Sequence, residues 1–188
     1  MSKEGKTQLI DPEYIAQAEW QEYGRKALIQ GVYLVRTEFY PVEDGLFAEL
    51  VRLDEEGRVA IEGLPPLAVR QINYSELEPG AVKAWHFHQK QDEIWYVPPL
   101  DGPVIVGLLD LREGSVDKSK SSRLNLGGGK AYLLYIPKGV AHGIANLGQE
   151  RARLIYFVDN QFDPQHPDEG RLPPGFGVKE GFWEMSKG

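Results

Sequence analysis

Gly80-Ala81-Val82-Lys83-Ala84-Trp85-His86-Phe87-His88-Gln89-Lys90-Gln91-Asp92-Glu93 sets two histidines on alternate residues and a carboxylate five positions after the second. Side chains alternate across a strand, so His86 and His88 share one face while Trp85 and Phe87 can pack outward on a second layer. The stretch therefore reads as two strands of a hairpin around Lys90-Gln91-Asp92, with Glu93 returning beside the histidines. A second segment, Pro137-Lys138-Gly139-Val140-Ala141-His142-Gly143-Ile144-Ala145-Asn146, reads as a turn that presents His142 from a distant strand. The chain has four histidines, and three lie in these two segments. Three imidazoles and a carboxylate suit a divalent first-row transition metal: Mn, Fe, Co, Ni or Zn.

The flanking sequence repeats the grammar of short strands. Gly31–Tyr40, Leu46–Leu53, Val59–Leu64 (an edge strand), Leu67–Leu77, Pro103–Arg112, Ser122–Leu126, Lys130–Pro137, Val140–Leu147 and Ala152–Phe162 are rich in branched and aromatic residues, with Gly, Pro and Asp turns between them. So many strands at such spacing predict an all-β sandwich or barrel over 31–162. Residues 1–30 read as an arm with a short helix, in which Asp11 is the N-cap, Pro12 opens the first turn, and the helical spacing runs to about Lys26. Residues 163–188 form a Pro/Gly-rich tail, expected to wrap the body with Phe176, Phe182 and Trp183 as anchors. Gly127-Gly128-Gly129 reads as a turn, because no helix pattern follows it.

Composition removes several classes of function. A net charge of −7 over 188 residues argues against nucleic acid or an anionic membrane as a partner. With no cysteine there is no thiolate metal site and no cysteine nucleophile. Met1 to Thr7 lacks the apolar core of a leader peptide, and no run approaches the ~20 apolar residues of a membrane span, so the cytoplasm is the expected compartment.

Gly80, His86, His88 and Glu93, with Pro137, Gly139, His142 and Asn146, resemble the two signatures of the cupin family. The resemblance implies a jelly-roll β-barrel and metal ligation by His86, His88, Glu93 and His142. A longer resemblance, to the dTDP-4-dehydrorhamnose 3,5-epimerase family, runs from about residue 30 to 172. It rests on Gly45–Glu49, Gln71–Ser75, Ala84–His86, Asp110–Ser115, Ile136–Gly143, and Leu154–Tyr156 running on to Asp163-Pro164.

The second resemblance implies a homodimer, no nucleotide cofactor, and a nucleotide-sugar or other small-molecule substrate carrying a ketone. It makes His86 the catalytic base and Tyr156 the proton donor, without a metal. Gln71, Asn73, Lys83, Phe47, Glu49 and Phe162 become substrate contacts. The chain departs from the family pattern at Asp44 and Lys83, where arginines are expected. His88 stands in place of a glutamine, and Asp92-Glu93 in place of a lysine. No C-terminal Ser-x-Lys-Asp element that would orient the histidine is found. Two further functions fit the same residues: a metal-dependent cupin enzyme of another class, such as an oxygenase or small-acid isomerase, and a non-catalytic ligand-binding cupin.

Overall fold

Period-two patterning carries through to twelve strands and one helix in a computed structural model that describes residues 9–18 and 28–185. Helix α1 (Pro12–Gln17) starts as its sequence dictates: the Asp11 carboxylate accepts the Glu13 N–H at 2.9 Å and Pro12 fills the first position. It ends at Ala18; the continuation expected through Trp20 and Tyr23 to Lys26 lies outside the described residues.

Strands β1 (Tyr33–Arg36), β4 (Gln71–Leu77), β6 (Glu93–Tyr96), β9 (Tyr132–Ile136) and β11 (Ala152–Val158) form one sheet, in the order β1-β9-β6-β11-β4. The second sheet runs β12-β5-β10-β7-β8, from β5 (Val82–His88), β7 (Val104–Asp110), β8 (Ser121–Leu126), β10 (Val140–Asn146) and β12 (Glu169–Arg171). A separate hairpin joins β2 (Tyr40–Val42) to β3 (Gly45–Phe47). The architecture is the expected jelly roll, but its two sheets are not joined edge to edge among the described residues, so it is an open sandwich and not a closed barrel.

Three expectations change. Leu46–Leu53 keeps strand geometry only to Phe47, and 59–64 contributes a single bridge, Val59 to Leu53, in place of an edge strand. The hairpin around Lys90-Gln91-Asp92 does not form either. β5 pairs with β10 and β12, whereas β6 pairs with β9 and β11 in the opposite sheet. The cause is a distant side chain. Asp168 accepts the backbone N–H groups of Gln89, Lys90 and Gln91 at 3.2, 2.9 and 3.1 Å, which holds the chain in a corner that crosses the sandwich.

Burial follows three layers. Trp95, Val106, Leu108, Leu134, Val140, Ile144 and Leu154 fill the space between the sheets. The outer face of the first sheet (Ile94, Tyr96, Leu133, Tyr135, Phe157) is covered by the irregular segment carrying Leu50, Val59, Ile61, Leu67 and Val69. The tail covers the second sheet: Leu172, Val178, Phe182 and Trp183 pack on Trp85, Leu109 and Ala141. The Trp183 ring lies 4.9 Å from that of Trp85 and rests on Gly107 and Gly143, which face each other across β7 and β10. A Cβ at either glycine would overlap the indole. Phe182 and Trp183 thus anchor the tail as expected, while Phe176 is half exposed.

Candidate active site

One cavity opens between the sheets, and the strand pattern decides what faces it. On β5 the inward residues are His86 and His88; Trp85 and Phe87 point to the tail layer. Lys83 shares the inward face although it is three residues from His86. The reason is a β-bulge: β10 advances two residues from His142 to Ile144 while β5 advances three, from His86 to Lys83. Ala84 and Trp85 both turn outward, and the alternation resumes with the lysine inside.

β10 places His142 directly opposite His86. From the facing sheet come Gln71, Asn73 and Ser75 on β4, Glu93 and Trp95 on β6, and Tyr156 on β11. Gln71 donates to Asn73 Oδ1 at 2.7 Å, and its own Oε1 accepts the Phe162 N–H at 3.0 Å, which fixes Phe162 at the mouth. Lys83 Nζ donates to Ser75 Oγ at 2.8 Å and to the Glu76 carbonyl at 2.7 Å, tying the two sheets together at the rim.

Two groups of titratable side chains share the cavity. In the first, His86 Nδ1 lies 3.2 Å from Glu169 Oε1 on β12. Burial pushes the His86 imidazole below its ordinary value; the Glu169 charge opposes this and Arg171 adds to it. His86 is therefore a neutral imidazole near neutral pH, the form a base needs. Tyr156, from the other sheet, is held above its ordinary value by burial and by the Glu93 and Glu169 charges, so it stays a phenol with a proton to give.

The second group is deeper. His88, Glu93 and His142 are at most 8% exposed, and one ligand atom from each lies within 4.8 Å of the others. Glu93 Oε1 accepts from Gln91 Nε2 at 2.6 Å, and Oε2 accepts from Trp95 Nε1. Burial opposes its charge, but His142, His88 and the Trp95 donor hold its pKa well below the ordinary carboxylate value. Burial lowers His142; on His88 it is outweighed by Glu93 and Asp168, which raise that imidazole. His86, expected as a fourth member, faces Glu169 outside this trio.

Phe47 and Glu49 are placed elsewhere. Phe47 is 60% exposed on the β2–β3 hairpin, with its ring 6.3 Å from that of Tyr40, and Glu49 pairs with Arg52 at 2.9 Å; neither lines the cavity. Residues of the site that were not anticipated as such include Ser75, Gln91, Asp168 and Glu169. The adjacent acids at 168 and 169 are the one trace in the sequence of what the tail delivers.

Comparison with known proteins agrees along most of the chain. Residues 26–172 match the family model described as dTDP-4-dehydrorhamnose 3,5-epimerase. The spore coat polysaccharide biosynthesis protein SpsL of Bacillus subtilis (strain 168) is 39% identical over 146 residues, 78% of this chain and 90% of that protein. A dTDP sugar isomerase from Desulfovibrio desulfuricans G20 superposes with a TM-score of 0.67 at 26% identity, covering 84% of this chain and 91% of that one. NovW, a 4-keto-6-deoxy sugar epimerase from the novobiocin gene cluster of Streptomyces spheroides, gives 0.66 at 25% identity, over 80% of this chain and 73% of NovW. With a jelly-roll sandwich, a histidine facing a tyrosine across its cavity, and a family match through most of its length, the chain belongs to the dTDP-4-dehydrorhamnose 3,5-epimerase family.

Proposed function

We propose that this protein inverts one or both carbons next to the ketone of a nucleotide-linked 4-keto-6-deoxyhexose. The observation that carries the proposal is the pairing of His86 with Glu169 on one sheet, with Tyr156 on the facing sheet of the same cavity. His86 Nδ1–H donates to Glu169, which leaves Nε2 as the basic nitrogen. Nε2 takes the proton from the carbon α to the ketone, and the C–H electron pair moves to the carbonyl oxygen as an enolate. Tyr156 then returns a proton to the opposite face of that carbon. The enolate collapses to the ketone with the centre inverted, and solvent resets the imidazolium and the phenolate. Asn73, Gln71 and Lys83 supply donors along the cavity wall for the sugar and its linked phosphates.

The match over 26–172 favours this reaction over an oxygenase, a small-acid isomerase or a non-catalytic binding protein. The experiment is proton NMR of a dTDP-4-keto-6-deoxyhexose in D₂O with the purified protein. Deuterium should enter at a carbon flanking the ketone, and His86→Gln should abolish the exchange. A wild-type protein that leaves both flanking protons in place would remove the assignment.

The working unit is further proposed to be a homodimer in which the β2–β3 hairpin brings Phe47 and Glu49 to a second copy's cavity. In support, Tyr40, Val42 and Phe47 on the hairpin and Ile72 and Tyr74 on edge strand β4 all expose apolar surface. Light scattering after size exclusion measures the state directly; a monomer at assay concentration with full activity would overturn it.

A further inference from the structure

The trio of His88, Glu93 and His142 has no task in the proton transfer above, although it is the most deeply buried polar group in the cavity. Its hydrogen bonds show what it is set to hold. His88 Nδ1 lies 3.1 Å from the Asp168 carbonyl, and His142 Nδ1 lies 3.1 Å from the Val140 carbonyl. A carbonyl oxygen only accepts, so each Nδ1 carries a proton and Nε2 is the atom left to offer a lone pair to an ion. Both Nε2 atoms then converge on Glu93, His88 at 3.2 Å from Oε1 and His142 at 3.6 Å from Oε2. The three side chains thus form a convergent, buried set of donor atoms, all within 4.8 Å of one another.

The carboxylate is fixed in turn by Gln91 and Trp95, so all three side chains are held by outer partners, as in built metal sites. The amide nitrogen of Gln91 also lies 3.3 Å from His88 Nε2 and bridges it to Glu93. Nothing comparable reaches His142 Nε2 among the described residues, whose Glu93 contact is the longer one.

We propose that His88, Glu93 and His142 bind one divalent first-row transition-metal ion, with His86 outside the ligand set. Two imidazoles and one carboxylate are a donor set known to leave coordination positions open for a small ligand. The site stands on its own geometry. The role offered for it rests on the epimerase reading: when bound, such an ion supplies Lewis-acid polarisation of the substrate's ketone oxygen. It would stand in where the family resemblance implies a lysine and this chain has Asp92-Glu93.

The test uses the full chain, stripped with chelator and titrated with Co²⁺ by calorimetry and by visible absorption, where a low-symmetry cobalt site gives intense d–d bands. One equivalent per chain is expected for wild type and, undiminished, for His86→Gln. Binding should weaken by about 100-fold or more in His88→Gln and Glu93→Gln. Circular dichroism checks that each variant folds; should Glu93→Gln fail, His88→Gln decides. Absence of saturable uptake of Co²⁺, Zn²⁺, Mn²⁺, Ni²⁺ and Fe²⁺ by folded wild type overturns the site, as does unchanged uptake by His88→Gln. Loss of cobalt from His86→Gln overturns the three-residue set. Deuterium exchange by stripped protein at the full rate overturns the Lewis-acid role and leaves the epimerase intact. Exchange in neither form removes the epimerase, while cobalt uptake still decides the site.

Discussion

Glu169 Oε1 stands 3.2 Å from Nδ1 of His86, placed there by a three-residue strand in the tail that pairs with β5. The same oxygen also accepts from Arg171, from one terminal guanidinium nitrogen at 2.7 Å and from Nε at 2.8 Å, so one carboxylate oxygen is shared between the two side chains. In the proposed reaction it is a positioning residue: its contact favours a proton on Nδ1, and its charge raises the basicity of the imidazole.

Glu169→Gln should lower the exchange rate by about 10-fold or more and shift its pH profile. The Glu169 charge raises the His86 pKa. Removing it lowers that pKa, so the basic imidazole persists to lower pH and the acid limb moves down. A merely structural contact would reduce the rate without moving the limb. Rate against pH in D₂O distinguishes the two.

Tyr156→Phe separates the two halves of the reaction. Proton abstraction by His86 continues, so solvent deuterium still enters the sugar, but delivery to the opposite face fails. The yield of inverted product should fall by about 100-fold while exchange with retention persists, a split that NMR and product chromatography read together.

Asp110 carries a pH prediction for stability. Its fully buried carboxylate accepts from Arg112 at 2.9 and 2.8 Å, from the Arg112 backbone N–H at 3.0 Å and from Ser115 at 2.6 Å. Burial opposes the charge, yet these donors lower the pKa to about 2. The folded value lies below the unfolded one, so the contribution is complete above the ordinary carboxylate range and is lost as pH falls through about 2. Asp110→Asn should cost about 2 kcal/mol at neutral pH, and the gap to wild type should close in strong acid; denaturant melts at pH 7 and pH 2 measure it.

Trp183→Ala removes the indole that rests on Gly107 and Gly143 and packs at a tilt against Trp85. A loss of about 2 to 3 kcal/mol is expected, below the cost for a fully buried tryptophan because Trp183 is only partly buried. In a chain of this size that is a fall of roughly 4 to 12 °C in melting temperature. Gly143→Ala should destabilise comparably, because the added methyl meets the Ala84 side chain on β5 first and the Trp183 ring next, at 2.9 Å.

The strand periodicity and the two histidine segments carried most of the fold, because alternation decides which side of a sheet a residue faces. They also gave the shared inward face of His86 and His88. Three features were not legible. The crossing between β5 and β6 depends on Asp168, a residue of the tail that local spacing cannot reveal. The inward turn of Lys83 depends on a bulge that only the partner strand defines. Glu169 sits in a Pro/Gly-rich segment where no periodicity assigns a face, so its pairing with His86 emerges only when β12 joins the sheet.

The neighbours Asp168 and Glu169 hold His88 and His86, and the segment carrying them is covered by the layer that Phe182 and Trp183 form on the second sheet. Both histidines therefore answer to one short piece of chain at the edge of that sheet, and peeling β12 from β5 would release the two rings together.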